Sequence, residues 1–187
     1  MSHNAEPVSR FLPGCWPAGR LASMNAPIDQ PPALGPQALE TWHDALAQAF
    51  IQVDEARFLE YLAAALCALC PIESMMISLE RQGQAPRLLY QQGIPREHQD
   101  EIIHRYFSRG YQLDPFCLAV DKGLPEGFYS LAQIAPDDFF NSEYYKTYYL
   151  NLGCTEDSYY IVNLDDHSKI SVSLFQGMGA SSLSADQ

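Results

Sequence analysis

The chain has 187 residues, 47% hydrophobic and 18% charged, which suits one well-buried core with chain to spare and hardly two. Its formal charge is −12, and because Arg10 and Arg20 cancel Glu6 and Asp29 ahead of Gly35, the acidic excess falls on residues 36–187. A surface of that sign with no Lys/Arg cluster repels phosphate backbones and disfavours anionic membranes, so this polypeptide does not read as a nucleic-acid or membrane binder in its own right.

Five cysteines (Cys15, Cys67, Cys70, Cys117, Cys154) are odd in number and irregular in spacing, which argues against a disulfide framework and for a reducing compartment. The longest apolar run, Tyr61–Cys70, is too short to span a bilayer. The N-terminus lacks the charged start, apolar core and cleavage site of a secretory signal. The expected location is the cytoplasm.

Met1–Gly35 holds six of the thirteen prolines and no periodic apolar pattern, and is expected to be a disordered leader, with Met24 as an alternative start. Pro36 suits the first turn of a helix in which Leu39, Trp42, Leu46 and Phe50 recur at helical spacing. Asp54 is the expected N-cap of a second helix, Glu55–Cys70, with Phe58, Leu62, Leu66 and Leu69 on one stripe and Pro71 as its stop. Glu73–Arg81 and Pro86–Gln92 read as a hairpin, and the alternation of Met75, Ile77 and Leu79 suggests a half-buried strand. A third helix is expected at roughly Arg96–Ser108, ended by Gly110. A short fourth starts at Asp114-Pro115 and closes at Gly123. After a connection (Leu124–Tyr129) and Leu131–Ile134, a Tyr/Phe-rich helix is expected within Asp138–Leu152. Two final strands, Ser158–Leu164 and Lys169–Phe175, precede a Gly/Ser-rich tail, 177–187. Helices, hairpin, helices, hairpin is an α+β order whose economical packing is an α-β-α sandwich around a central antiparallel sheet, of PAS/GAF type.

Catalytic signatures are missing: no Gly-rich phosphate loop, no G-x-S-x-G, no H-E-x-x-H. No cofactor or catalytic residue is therefore assigned. The histidines (His3, His43, His98, His104, His167) are scattered, and no metal site is expected. Cys67-x-x-Cys70 would share a helix face, but its Ala/Leu surroundings make it core rather than a redox centre. Asp114-Pro115 is explained by capping alone, since Asp is a favoured N-cap and Pro a favoured first residue. The same carboxylate could also accept a ligand N–H in an apolar pocket. Phe139, Phe140, Tyr144, Tyr145, Tyr148 and Tyr149 crowd one segment, with Phe140, Tyr144 and Tyr148 on one helical stripe. Such stripes are commonly core, yet several buried phenols need partners and more readily edge a cavity.

Ile94-Pro95 leading into a helix with Tyr106, then Gly110-Tyr111-Gln112-Leu113-Asp114-Pro115, resembles the segment ending in Asp-Pro of LuxR-type autoinducer-binding domains. The similarity continues through Leu124-Pro125, Phe128-Tyr129, Leu152-Gly153 and Ile170-Ser171-Val172-Ser173-Leu174, covering about Pro36–Gln176. The resemblance implies a sandwich with an enclosed pocket, homodimerisation, and promoter DNA bound through a C-terminal helix-turn-helix, for which nothing after Phe175 is suited. It also implies that Asp114 takes a ligand amide N–H and that Tyr106 and Ser171 bind an acyl carbonyl. Two tryptophans of the family pattern are replaced: none lies near Ile102, and Tyr129 stands after the Leu-Pro step. Losing an indole donor leaves a lactone carbonyl unpaired, at about 1–3 kcal/mol, which disfavours homoserine lactones. The ligand-binding candidates are Tyr106, Asp114, Tyr129, Tyr148 and Ser171.

Together these features read as a small-molecule-sensing domain of a LuxR-family transcriptional regulator, its partners an unidentified small molecule and a second copy of the chain. The alternative is an interaction protein without a DNA reader that heterodimerises with full-length regulators. A small-molecule enzyme using Asp114 or a pocket tyrosine stands third.

Overall fold

A computed structural model describes residues 34–70, 72–94, 96–99, 103–149 and 156–176. The expected leader, apart from Leu34 and Gly35, and the expected tail lie outside the described residues, as do Pro71, Ile102 and Leu152-Gly153.

Helix α1 (Pro36–Ile51) starts where the sequence places it. Gly35 is extended ahead of it, and Pro36 occupies a first-turn position where a missing N–H costs nothing. Helix α2 (Phe58–Leu69) starts later than expected. Asp54 does not cap it; Arg57 precedes it with helical backbone and no capping side chain, and instead forks onto Glu60 with two bonds of 2.9 Å. The expected stripe of Phe58, Leu62, Leu66 and Leu69 is only half-buried, whereas Ala63 and Ala65 are fully enclosed. Ala63 clusters with Met75, Ile77, Val172 and Leu174, because a methyl-sized side chain lets the helix approach the sheet closely.

Strands β1 (Ser74–Arg81), β2 (Arg87–Gln92), β3 (Gly127–Ser130), β4 (Glu156–Asn163) and β5 (Ser168–Gln176) form one antiparallel sheet in the order β2-β1-β5-β4-β3. The two expected hairpins are present, joined where β1 pairs with β5 from Ser74↔Phe175 to Arg81↔Ser168. β3 falls in the stretch read as a connection. Four residues at a sheet edge are too few to show alternation. β1 is not half-buried as its alternation suggested: Met75 through Glu80 are all buried, because a helical layer lies on each face.

The second layer contains α3 (Arg96–Gln99), α4 (Arg105–Ser108), a 3₁₀ turn (Gly110–Gln112), α5 (Pro115–Asp121), α6 (Leu131–Ile134), a 3₁₀ turn (Phe139–Asn141) and a π-helical turn (Tyr145–Tyr149). Of the helix expected over Arg96–Ser108, Arg96–Gln99 and residues 103–108 are helical, and residues 100–102 lie outside the described residues. α5 ends in a Schellman motif: Leu124 N–H reaches the Ala119 carbonyl, Gly123 N–H reaches Val120, and Gly123 takes φ +90. The aromatic segment is not one regular helix. Its π turn puts Tyr144, Tyr148 and Tyr149 inside, while Phe140, expected on the inner stripe, is 50% exposed. Helices cover both faces of the sheet, so the fold is an α-β-α sandwich of the α+β class, PAS/GAF-like in strand order.

Gly93 (φ +79) ends β2 where a Cβ would collide with the Glu73 carbonyl oxygen, whereas Gly83 (φ +71) turns in open space. Gly83→Ala is expected to cost about 1 kcal/mol, the backbone penalty alone. Gly93→Ala should cost at least about 1 kcal/mol more, because backbone must also move. Urea denaturation of the two variants beside the parent protein checks the ordering.

Candidate functional site

On the face away from α2, the sheet presents Met76, Ser173, Phe175, Asp157 and Tyr159 to the aromatic layer. Their strand register sets them side by side: Met76 opposite Ser173, Asp157 opposite Phe175, Tyr159 opposite Ser173. Asp114 enters this space from the N-terminus of α5. It is 5% exposed, and its Oδ1 accepts Phe116 N–H at 2.8 Å. The Tyr106 hydroxyl donates to Asp114 Oδ2 at 2.5 Å, and Tyr144 supplies a further hydrogen bond. Cap and inward-facing acceptor are therefore the same carboxylate.

Two more carboxylates are answered by phenols. Tyr149 donates to Asp157 Oδ2 at 2.5 Å, and Tyr159 donates to Glu80, which Ser171 also contacts. Burial raises the pKa of all three acids, that of Asp157 well above the ordinary carboxylate range. Hydrogen bonds from Tyr106 and Phe116 oppose the shift at Asp114, as Tyr149 does at Asp157; repulsion between Asp114 and Asp157 adds to it. Burial also raises Tyr106, Tyr144 and Tyr149, so these phenols stay protonated as donors.

Met76, Tyr106, Asp114, Tyr144, Tyr148, Tyr149, Asp157, Ser173 and Phe175 enclose a hollow of about 20 Å³. That holds roughly one water and is far below the ~300 Å³ of a small-ligand pocket. The Tyr106 hydroxyl occupies the place on Asp114 that an incoming N–H would take. Gly110 lets the layer close, since a Cβ there would lie 2.5–2.8 Å from the tip of the Tyr148 ring. A more open depression of about 490 Å³ lies at the β4–β5 turn, lined by Asp121, Asp165, Asp166, His167 and Lys169, and reaches Glu80.

Of the residues singled out by sequence, Tyr106, Asp114 and Tyr148 meet at the hollow. Ser171 is buried nearby against Glu80, and Tyr129 is half-buried on β3 with its hydroxyl on the Pro125 carbonyl at 3.0 Å. Sequence reasoning missed Asp157, Tyr149 and Ser173 as a set. An acid just ahead of the apolar run Tyr159–Val162 was the available signal, but only the π turn and the β4–β5 register bring the three together. Among the described residues, no group of three His, Cys, Asp or Glu is placed to hold a metal, and no helix is long and apolar enough to cross a membrane.

No family model matches the chain, and no curated protein is significantly similar to it in sequence. Among solved structures, it is similar to the LBD (ligand-binding) domain of VqsR from Pseudomonas aeruginosa, with 28% identity over 72% of this chain and 79% of that one, at a TM-score of 0.64. It also shares the fold of CepR2 from Burkholderia cenocepacia, an N-acylhomoserine-lactone-dependent LuxR-family transcription factor, with 19% identity, 81% and 84% coverage and a TM-score of 0.56. The chain has the fold of these LuxR-family ligand-binding domains, and a sensing role fits it; these neighbours are regulatory proteins rather than enzymes.

The Asp157 pKa, ordinarily 3.8, lies well above that value in the folded state, so above about pH 4 the native protein holds a proton that the unfolded chain has released. Stability should therefore fall as pH rises through the interval between the two values, by up to about 1.4 kcal/mol per pH unit for one such group. Glu80 and Asp114 act in the same direction. Asp157→Asn should lessen the fall in stability that sets in above about pH 4, read by urea denaturation; an unchanged slope would mean that Asp157 does not carry the proton.

Proposed function

We propose that this domain is the small-molecule sensor of a LuxR-type transcriptional regulator, acting by binding rather than catalysis. The observation that carries the reading is the Asp114 carboxylate, buried and turned into the hollow with the Tyr106 hydroxyl on it. A ligand donor exchanges with that hydroxyl, and the rings of Tyr106 and Tyr148 swing apart to open the closed hollow. The energetic condition is simple: the ligand stabilises the open arrangement only by as much as it prefers it over the closed one. Tyr106, Asp114 and Tyr148 are proposed as ligand contacts. Ser171 and Tyr129 lie one layer further out, Ser171 being reached by a ligand long enough to displace the Tyr159–Glu80 bridge.

The working unit we propose is a cytoplasmic homodimer, with DNA engaged through a helix-turn-helix outside this chain. Phe50 (71% exposed), Ile51 (68%) and Val53 (55%), at the end of α1 and just beyond it, support self-association. The closed, self-satisfied hollow also favours a second reading, an interaction protein that pairs with full-length regulators and needs no ligand.

Native mass spectrometry of the full chain purified from its own host should show a retained small molecule, and Asp114→Asn should lose it. Asn preserves the cap acceptor but not the second carboxylate oxygen. A clean apo mass, together with no thermal shift across a metabolite panel, would remove the sensor reading in favour of the pairing one.

A further inference from the structure

The hollow carries an imbalance that neither its fold nor its tyrosines resolve. Two carboxylates, Asp114 and Asp157, line it, and no Lys, Arg or His does so among the described residues. Asp114 is fully answered, by Tyr106, Tyr144 and backbone N–H groups. Asp157 is not. Its Oδ2 takes the Tyr149 hydroxyl, but its Oδ1 is buried with no hydrogen-bond partner among the described residues.

An orphaned carboxylate oxygen in an apolar interior is expensive unless a donor arrives from outside. Hydroxyls are already abundant here; positive charge is what the site lacks. The faces of aromatic rings attract cations, and Tyr144 and Tyr148 (ring centroids 5.1 Å apart) line the same hollow as Asp157. The existing space, about 20 Å³, is the size of an ammonium head, while the rest of a ligand needs the rings to part.

We infer, resting on the receptor reading, that the ligand carries a protonated amine which docks on Asp157 Oδ1, walled by the rings of Tyr144, Tyr148 and Tyr149. This site is distinct from Asp114, so the ligand has two anchor points: an N–H donor that exchanges with the Tyr106 hydroxyl, and an ammonium at Asp157. Burial raises the Asp157 pKa well above the ordinary carboxylate range, so below that raised value the free side chain carries a proton. Docking therefore exchanges charges in balance: the carboxylic acid gives its proton to solvent, and the resulting carboxylate pairs with the ammonium. The described titratable groups around it are Tyr106, Tyr144, Tyr148, Tyr149 and Asp114. The phenols of Tyr106, Tyr144 and Tyr149, raised by burial, stay neutral through this step, and repulsion from Asp114 favours a cation at Asp157.

The test is titration calorimetry on the full chain with methylamine, n-butylamine and 2-phenylethylamine, each beside its isosteric alcohol, and with N-butylacetamide as a neutral N–H donor. At least one amine should bind tenfold or more tightly than its alcohol. Its affinity should rise about tenfold per pH unit while Asp157 remains protonated in the free protein, as release of one proton requires. Asp157→Asn should remove the preference for amine over alcohol. The amine–alcohol comparison and the pH dependence on the parent chain decide the matter even if that variant folds poorly. Equal binding of amine and alcohol, or no binding by any amine at millimolar concentration, overturns the inference. Should N-butylacetamide bind when the amines do not, the ammonium site falls and the receptor reading stands; if none of the probes binds and the purified protein carries no small molecule, both fall.

Discussion

A carboxylate withdrawn from water must be answered by hydrogen bonds or give up its charge, and the arrangement around Asp114 is organised by that demand. Its answers come from three places in the chain: the Phe116 amide within its own helix, Tyr106 from α4, and Tyr144 from the aromatic segment. One oxygen starts α5 and the other tethers the helix before it, so the acid links short elements that have little stability alone. α4 and α6 are only four residues each, and α5 seven. Elements of this length persist because they are held against a sheet, and here the holding groups are partly polar.

The two faces of the sheet are accordingly unlike. Against α2 the contact is dry, with Ala63 resting on Met75, Ile77, Val172 and Leu174. Against the aromatic layer, the sheet offers acids and serines, and the layer offers phenols. Phe116 stacked on Tyr159 at 4.4 Å supplies apolar burial between the polar pairs. Buried polar networks of this kind are costly to leave half-satisfied. That asymmetry sets the proposed binding face apart from the other.

On the proposed reading, closure and binding are two states of the same groups. The hydroxyl on Asp114 belongs to a ring that can rotate, and the residue opposite Tyr148 is a glycine, which lets that ring lie flush. In this structure the Asp114 acceptor is occupied by the chain's own Tyr106 hydroxyl.

Much of this was legible in the residues themselves. Pro36, the Asp114-Pro115 cap, Gly123 and the alternation in the last strand are local signals, and they mark helices and strands because capping, φ and side-chain period act over a few residues. The hairpins came from turn composition, and the sandwich from their order. The start of α2, the edge strand Gly127–Ser130 and the inward face of the aromatic segment were not legible. Each depends on what packs against it: Asp54 is a good cap with nothing requiring it, and a π turn differs from an α turn by one residue, a difference that packing decides. Sequence alone thus determined the class of the fold and the importance of Asp114. Only the tertiary structure decided that Asp157, forty-three residues further on, faces the same hollow. Charges in an apolar space act through distance, which the order of residues along the chain does not contain.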